Sequence, residues 1–480
     1  MTEKRPNVLF MYSDQHSARF MSCSGNTAIS TPHMDRLARE GVQLTEAYTP
    51  MPLCIPARAA LLTGRYGHST GIMHNSNTRL CREEPTFPQA LEAAGYHTVH
   101  IGKTHLAQGI HPGAPGFEER LAEMGFAESY GHAGKVFCGV PGPDEPDRDC
   151  EYRTYLKAKG VFQKFHEDYV KRHTQLPHYY NAPSVLDEED FHDMFIGTRT
   201  ARWIDEYDGD KPFFVWCNWG GPHAPWDAPG RYATMYDPDD VDDPIADDGA
   251  NLPASIRKRM AKTMREMPAE ELKKCKANYY GMINVCDDGI GRMLAALEKK
   301  GILDDTLVIY ASDHGEMMYN HGLHGKSVFF DDSVKVPCLV RYPRRFAQGL
   351  KSAALANTID LVPTILEIAG AEPLVPMNGT SMVPLLTGVA DTYQEATFSE
   401  HGAGRGGSEF QVAGDAWKMV REGDWKYAYS PGWDRQILFN VKEDPDELDN
   451  LSGDPSHADV EARLHGRILD FMFATEYGPR

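Results

Sequence analysis

Short apolar runs separated by segments with helical periodicity constrain the fold of this chain more than any other feature. Each run has six or seven residues rich in β-branched and aromatic side chains, a pattern typical of strands buried on both faces. The runs are NVLFMYS (7–13), HTVHIG (97–102), FFVWCNW (213–219), TLVIYAS (306–312) and PCLVRY (337–342). They predict the strands of a buried, mostly parallel sheet.

Amphipathic segments lie between these runs. Residues 31–41, 86–95 and 278–301 each place apolar side chains at helical spacing and end at a glycine, a common helix stop. Strands that alternate with helices indicate an α/β fold, with a large parallel sheet covered by helices on both faces.

The pattern changes after about residue 375. The stretches WKMVREGDWKYAYSPG (417–432) and RQILFNV (435–441) indicate antiparallel strands, and 456–474 indicates a closing helix. We therefore predict a catalytic α/β domain over 1–375 and a smaller C-terminal α+β subdomain over 376–480. Residues 130–190 and 227–270 have the composition of insertions.

Charge and composition exclude some classes of function. The 480-residue chain has 49 Lys and Arg against 69 Asp and Glu, a net charge of -20. We expect neither nucleic acid nor an anionic membrane as a partner, because both require a basic surface. No apolar run approaches the ~20 residues of a membrane span.

The cysteines and the N-terminus bear on the compartment. Nine cysteines without a CxxC pair argue against a disulfide framework or a structural zinc site. The apolar stretch near the N-terminus is short and ends at Asp14, so it predicts a first strand rather than a secretory signal. We therefore expect a cytoplasmic protein.

Polar side chains follow the ends of the predicted strands, where active sites of such sheets form. Asp14 and Gln15 follow the first strand, and Asp313 and His314 follow the fourth. Asp14 alone is more simply a turn residue, and Asp313–His314 alone is equally compatible with catalysis or structure. Together they supply three oxygens and one nitrogen, which suit Ca²⁺, Mn²⁺ or Mg²⁺ better than thiolate-bound zinc.

Cationic and imidazole side chains follow other strands. Lys103 and His105 share one side if the chain there is extended, and His223 lies in a proline-flanked loop. Lys326 follows in HGKSVFF (324–330). Each has an ordinary structural explanation on its own, but together with Arg58 they predict a pocket for a tetrahedral oxyanion.

Cys54 and Arg58 are one helical turn apart, so both can face one point at a helix N-terminus, which favours anions. From these residues alone, Cys54 is equally a buried thiol, a thiolate nucleophile, a metal ligand or the precursor of a modified residue.

Seven sequence blocks, in order along nearly the whole chain, resemble the sulfatase family of the alkaline phosphatase superfamily. They are CIPAR (54–58), ARAALLTGRY (57–66), GYHTVHIGKTHL (95–106), GPHAPW (221–226), ASDHGE (311–316), HGKSVFFDDSVKVPCLVRYP (324–343) and LFNVKEDPDELDNLS (438–452). The resemblance implies an alkaline-phosphatase-like fold and a formylglycine-dependent hydrolase.

In this family a separate maturase oxidises the motif cysteine, here Cys54, to formylglycine, whose hydrate is the nucleophile. The resemblance implies one divalent metal, most often Ca²⁺ with Mn²⁺ or Mg²⁺ as alternatives. It implies the metal ligands Asp14, Gln15, Cys54, Asp313 and His314.

The resemblance also implies catalytic roles. Arg58, Lys103 and Lys326 would offset charge on the transferred group, His223 with Lys326 would protonate the leaving alcohol, and His105 would deprotonate the second hydroxyl. Substrate binding is expected from Lys103, His223, Lys326 and Asn75, although a plain loop asparagine is an equal interpretation of Asn75.

Two departures from the common family pattern narrow the branch. Asp14–Gln15 stands where many members have two aspartates, and Asp313–His314 where they have Asp-Asn. This resembles the branch of arylsulfatases, choline sulfatases and phosphonate monoester hydrolases, and it shifts the metal preference slightly toward Mn²⁺. An aromatic-rich C-terminal tail, typical of choline-specific members, is missing from the sequence, which argues against choline sulfate.

We therefore expect a sulfuric ester hydrolase that acts on a small-molecule aryl or carbohydrate sulfate monoester. A phosphonate monoester or phosphodiester hydrolase is the alternative, and a non-catalytic anion-binding protein is a third reading. The sequence does not identify the alcohol, which we expect residues 130–190, 227–270 and 400–435 to select. A homo-oligomer is compatible with the sequence, but no feature sets a subunit number.

Overall fold

The computed structural model describes residues 5–76, 80–106, 112, 114, 116–140, 150–177, 180–402 and 415–476. Its strands are β1 (Asn7–Asp14), β2 (Val42–Leu44), β3 (Ala47–Tyr48), β4 (His97–Lys103), β5 (Glu128–His132), β6 (Phe213–Pro222), β7 (Thr306–Ser312), β8 (Cys338–Arg341), β9 (Leu350–Ser352), β10 (Ala356–Asn357), β11 (Ala396–His401), β12 (Trp417–Glu422), β13 (Trp425–Tyr429) and β14 (Ile437–Asn440).

The helices alternate with these strands through most of the chain. They are α1 (Pro32–Glu40), α2 (Cys54–Thr63), α3 (Gly67–Thr70), α4 (Phe87–Ala93), α5 (Phe117–Glu123), α6 (Lys135–Gly139), α7 (Glu151–Ala158), α8 (Phe162–Thr174), α9 (His192–Glu206), α10 (Ala254–Glu266), α11 (Ala269–Lys299), α12 (Asp331–Val334), α13 (Leu361–Ala369), α14 (Val383–Leu386) and α15 (Ala458–Thr475).

A large sheet in the order β5-β4-β6-β1-β7-β8-β2-β9 organises the described residues. Strand β1 lies between β6 and β7 and runs parallel to both. Its side chains alternate between two apolar cores, with Phe10 packed among α2, α4 and α13 and Met11 among α1, α9 and α11. Burial of each such side chain contributes roughly 1.5–3 kcal/mol of transfer free energy. The predicted helix layers on both faces are thus confirmed.

Three details differ from the sequence predictions. Strand β8 is antiparallel to β7, because strands buried in the same layer are equally apolar in either direction. Residues Glu128–His132 form the edge strand β5, so the segment 130–190 begins inside the sheet rather than as an insertion. Helix α11 begins at Ala269, well before the predicted start at residue 278.

The C-terminal part forms a separate antiparallel sheet, β11-β12-β13-β14, as predicted. Leu464 and Ile468 of α15 pack on Val420 and Leu438 of this sheet. The boundary at residues 375 and 376 stays a prediction. The Gly-rich stretch EHGAGRGGSEF (400–410), at the start of the segment 400–435 that we expected to select the alcohol, falls outside the described residues from 403 onward.

The nine cysteines are free thiols. Within the described ranges, we find no helix with the length and apolar character needed to traverse a bilayer.

Candidate active site

The floor of the site lies where β1 and β7 end. Because these strands are parallel neighbours, Asp14 and Asp313 meet at one edge of the sheet. The Gln15 backbone N–H donates to Asp313 Oδ1 over 3.0 Å. Gln15 itself adopts a left-handed backbone (φ 71°), an uncommon conformation for a residue with a side chain.

Cys54 is the first residue of α2 and faces this floor. Its Sγ lies 3.2 Å from His314 Nε2, 3.1 Å from Lys326 Nζ and 3.8 Å from Asp14 Oδ1. The sulfur stands in for a side-chain oxygen of the modified residue that the family resemblance implies. Burial acts to raise the pKa of this thiol, but the charges of Lys326 and His314 outweigh burial and hold it well below its ordinary value.

Arg58, one turn along α2, is fully buried and ties the floor together. Its Nε donates to Asp313 Oδ2 over 2.9 Å, one terminal nitrogen to Asn218 Oδ1 over 2.9 Å, and the other to Asp14 Oδ2 over 3.3 Å. The guanidinium also lies over the Tyr12 ring, 5.3 Å from its centroid. Its contacts to protein groups are therefore those of an organiser of the carboxylates.

Two lysines complete the positive lining. Lys103, at the end of β4, donates to Asp14 Oδ2 over 2.5 Å. Lys326 donates to Gln15 Oε1 over 2.6 Å in addition to its contact with Cys54. The predicted ligand oxygen of Gln15 thus already accepts from a lysine.

The two predicted catalytic histidines, His105 and His223, also lie beside Cys54, and both act to lower the pKa of its thiol. His105 has φ 38°, so the chain after β4 is not extended as expected. His223 Nδ1 lies 2.7 Å from the Ala224 carbonyl oxygen, which favours a proton on Nδ1 and leaves Nε2 toward the site. Burial, followed by the charge of Lys326, lowers the pKa of His223 to about 4.

Asn75 lies beside the nucleophile position rather than in an unrelated loop. Its Oδ1 accepts from the Ile55 backbone N–H over 3.0 Å, at the start of α2. The residues predicted from sequence therefore converge on one place: Asp14, Gln15, Cys54, Arg58, Asn75, Lys103, His105, His223, Asp313, His314 and Lys326.

The donor set fits a divalent cation. Ligand atoms of Asp14, Cys54, Asp313 and His314 are all buried and lie within 4.8 Å of one another. Burial and the neighbouring charge of Asp14 raise the pKa of Asp313 to about 6. A bound cation would offset this repulsion, and two carboxylates with one imidazole suit Ca²⁺ or Mn²⁺.

Two polar residues of the site were missed from sequence. Asn218 holds Arg58, and its side chain was hidden in the apolar run FFVWCNW. Glu316 is buried and accepts from the Gly325 backbone N–H over 2.6 Å, from the Met318 N–H and from Gln15 Nε2. Its position in the block ASDHGE was the available signal.

Comparisons with known proteins agree with this geometry. Residues 6–371 match the sulfatase family model, and residues 319–473 match a model described as N-sulphoglucosamine sulphohydrolase, C-terminal. The chain is 27% identical to an arylsulfatase of Clostridium perfringens, over 93% of this chain and 90% of that protein. It is also 27% identical to an N-acetylglucosamine-6-O-sulfatase of Bacteroides thetaiotaomicron, over 96% of this chain and 85% of that protein.

Solved structures share the fold. A phosphonate monoester hydrolase from Silicibacter pomeroyi superposes with a TM-score of 0.81 at 24% identity, covering 98% of this chain and 96% of that one. The family match extends over most of the chain and includes every predicted site residue. The protein belongs to the sulfatase family and is a sulfuric ester hydrolase with an alkaline-phosphatase-like fold.

Proposed function

We propose that the protein is a formylglycine-dependent sulfatase that hydrolyses an aryl or carbohydrate sulfate monoester. The observation that carries this proposal is the position of Cys54, whose Sγ lies within 3.2 Å of both His314 Nε2 and Lys326 Nζ above a pair of buried carboxylates. A buried thiol needs no charged neighbours for its packing, so the charged groups around Cys54 support a chemical role for this residue.

Asp14, Asp313 and His314, with Gln15 and the modified Cys54, would hold one divalent metal, for which Ca²⁺ is our first choice and Mn²⁺ or Mg²⁺ the alternatives. When bound, the metal supplies Lewis-acid activation of the sulfate, and the hydrated formylglycine supplies the attacking hydroxyl.

The cations of the chain act on the transferred group. Lys103 and Lys326 lie where they can offset negative charge on the sulfate oxygens, and Arg58 holds the carboxylates in place beneath them. Asn75 is proposed to bind the sulfate through its amide nitrogen, since its oxygen accepts from Ile55.

His223 and His105 move protons in this proposal. The low pKa of His223 leaves its ring neutral in the resting site, and an arriving anion raises that pKa, so that with Lys326 it can protonate the leaving oxygen. His105, which also lies beside Cys54, accepts the proton of the second hydroxyl when sulfate departs.

The proposed function also involves a partner protein and a cellular compartment. A formylglycine-generating maturase is required as a partner before activity. Nine free thiols support a reducing, cytoplasmic location.

Phosphonate monoester or phosphodiester hydrolysis is the second candidate. It is favoured by the Asp14–Gln15 and Asp313–His314 pattern and by the structural likeness to a phosphonate monoester hydrolase. Both substrate classes carry one negative charge at the reacting group, so one pocket can serve both.

The test compares kcat/KM for 4-nitrophenyl sulfate and 4-nitrophenyl phenylphosphonate with matured, metal-loaded enzyme. We expect the sulfate ester to be preferred. A preference for the phosphonate by orders of magnitude would replace the first proposal with the second.

A further inference from the structure

A cationic side chain without an acidic partner lies next to the Lys326 loop. Arg259, on α10, donates from one terminal nitrogen to the carbonyl oxygens of His324 and Lys326, over 2.9 and 2.7 Å. In the described part of the chain, no ion pair joins this half-buried guanidinium to a carboxylate. A half-buried arginine without an ion-pair partner has lost part of its hydration, and a bound anion would offset that cost.

A second unsatisfied group lies near it. His401, the last residue of β11, is 3% exposed, and its Nε2 has no hydrogen-bond partner among the described residues. Its Nδ1 pairs with the Asp415 carbonyl oxygen over 3.1 Å, and its ring stacks on Trp417 with centroids 6.0 Å apart. Buried polar atoms of this kind usually find a partner, so a ligand atom is a natural one.

These groups lie at the rim of the catalytic site. Trp417 Nε1 donates to the Ser327 carbonyl oxygen, directly after Lys326. On the other flank, Gly402 packs against Met73 and His74 so closely that an added Cβ would lie 2.7 Å from Met73 Cβ. Asn75 follows and contacts the first turn of α2. The end of β11 therefore bridges the two flanks of Cys54.

Arg259 gives this rim a positive charge. Burial lowers the pKa of Arg259 to about 10, which still leaves the guanidinium charged at neutral pH, and Glu316 and Asp415 only partly compensate it. Burial, with the charges of His74 and Arg259, lowers the pKa of His401 to about 4, so its ring is a neutral donor or acceptor. One fixed charge with a neutral ring beside it suits a single anionic oxygen group.

We infer that Arg259, with His401, forms a rim subsite for a second anionic group, a carboxylate or a second sulfate, on the alcohol part of the sulfate ester. This inference rests on the proposed sulfatase function and names the substrate class. The substrate is a sulfate ester with a second anionic group, and it binds with its sulfate at the floor and the second anion at the rim. A neutral aryl sulfate would occupy the floor alone.

Two substrate pairs test the inference and separate the two anions. One pair is 3-carboxyphenyl sulfate and its carboxamide, 3-carbamoylphenyl sulfate. The other is glucosamine 2-N,6-O-disulfate and N-acetylglucosamine 6-sulfate. A charge-assisted contact predicts that matured wild-type enzyme prefers the dianion of at least one pair by about 10- to 100-fold in kcat/KM. In the aryl pair, 3-carbamoylphenolate is a better leaving group than the phenolate that bears a carboxylate. Intrinsic reactivity therefore favours the carboxamide substrate and works against a preference for the dianion.

The variant Arg259→Met should bring that preference close to one, and Arg259→Lys should keep part of it. Arg265→Met, which removes one exposed charge near the end of the same helix, is the matched control and should keep the wild-type ratio. If Arg259 only supports the Lys326 loop, both members of a pair lose activity equally and the ratio stays unchanged, which overturns the inference.

Different results would contradict the rim subsite and the proposed sulfatase function. Turnover of 4-nitrophenyl sulfate with no dianion preference in either pair overturns the rim subsite alone. No turnover of any sulfate ester by matured enzyme contradicts the proposed function and the subsite with it.

Discussion

The floor and the rim of the site are built by different parts of the molecule. The floor consists of strand ends and one helix turn, and each of its charged groups contacts at least one oppositely charged or hydrogen-bonding neighbour. The rim combines α10, the Lys326 loop and the end of β11, and Arg259 has no ion-pair partner there among the described residues. The charged groups of the floor compensate one another, which suits a site for one reaction. The charge of Arg259 at the rim has no ion pair, which suits a site that selects the substrate.

The largest expected effect comes from the floor. Cys54→Ala removes the precursor of the nucleophile, so we expect turnover to fall to background with matured enzyme. The loss of one buried sulfur should cost only about 1 kcal/mol of unfolding free energy. Turnover and thermal unfolding measured side by side check this, and substantial activity in the variant would remove Cys54 from the mechanism.

The proposed proton-donor role of His223 gives the second largest expected effect. His223→Gln should lower kcat by about 10²- to 10⁴-fold for a sugar sulfate, because its leaving oxygen needs a proton. For 4-nitrophenyl sulfate, whose leaving group departs without protonation, the loss should be much smaller. Equal losses for both substrates would argue against His223 as the proton donor, and His105→Gln, which should affect both alike, is the comparison.

Asn218 tests how far the floor depends on its support. Asn218→Leu leaves one buried N–H of Arg58 unpaired, which should cost about 1–3 kcal/mol of unfolding free energy and lower kcat by roughly tenfold. Asn284→Leu, in the buried middle of α11, removes hydrogen bonds to Ser30 and Tyr236 and should cost stability without a change in kcat. Similar kcat losses in the two variants would mean that the effect on Arg58 is not specific.

The smallest effect on turnover is expected where the rim is attached to the main body. Glu400, next to His401, is buried and pairs with His68 and Lys418. Burial opposes ionisation, but the hydrogen bond from His68 and the charge of Lys418 lower the pKa of Glu400 to about 2.

Because this folded-state pKa lies below the unfolded value, its stabilisation is present above about pH 4.5 and is lost as the pH falls toward 2. Glu400→Gln should therefore lower the free energy of unfolding by roughly 3 kcal/mol at pH 7 and by little near pH 2. Chemical denaturation at several pH values checks this, and an equal loss at both ends would point to packing instead.

Sequence reasoning identified the floor because strand ends and short motifs carry it. Asp14 and Asp313 were predicted to lie in one site because each follows the end of a predicted parallel strand. Asn218 was not predicted as a site residue, because a single polar residue in an apolar run is typical of an ordinary strand position. The direction of β8 escaped because burial leaves the same apolar pattern in parallel and antiparallel strands.

For the rim, the sequence predicted only the segments, 227–270 and 400–435, and not the two residues within them. Arg259 and His401 are 142 positions apart and belong to α10 and the C-terminal sheet, so only the packing of that sheet against the Lys326 loop brings them near one another. Neither residue lies in a recognised block, and no periodicity links them.

The central claim is that Cys54 acts as an aldehyde hydrate, and the mass of the Cys54 peptide tests it most directly. Enzyme is produced with and without a formylglycine-generating maturase. Modification lowers the mass of the Cys54 peptide by about 18 Da, and we expect kcat to rise in proportion to the fraction of the lighter peptide. Full turnover of 4-nitrophenyl sulfate by protein in which every Cys54 remains a thiol would contradict the account.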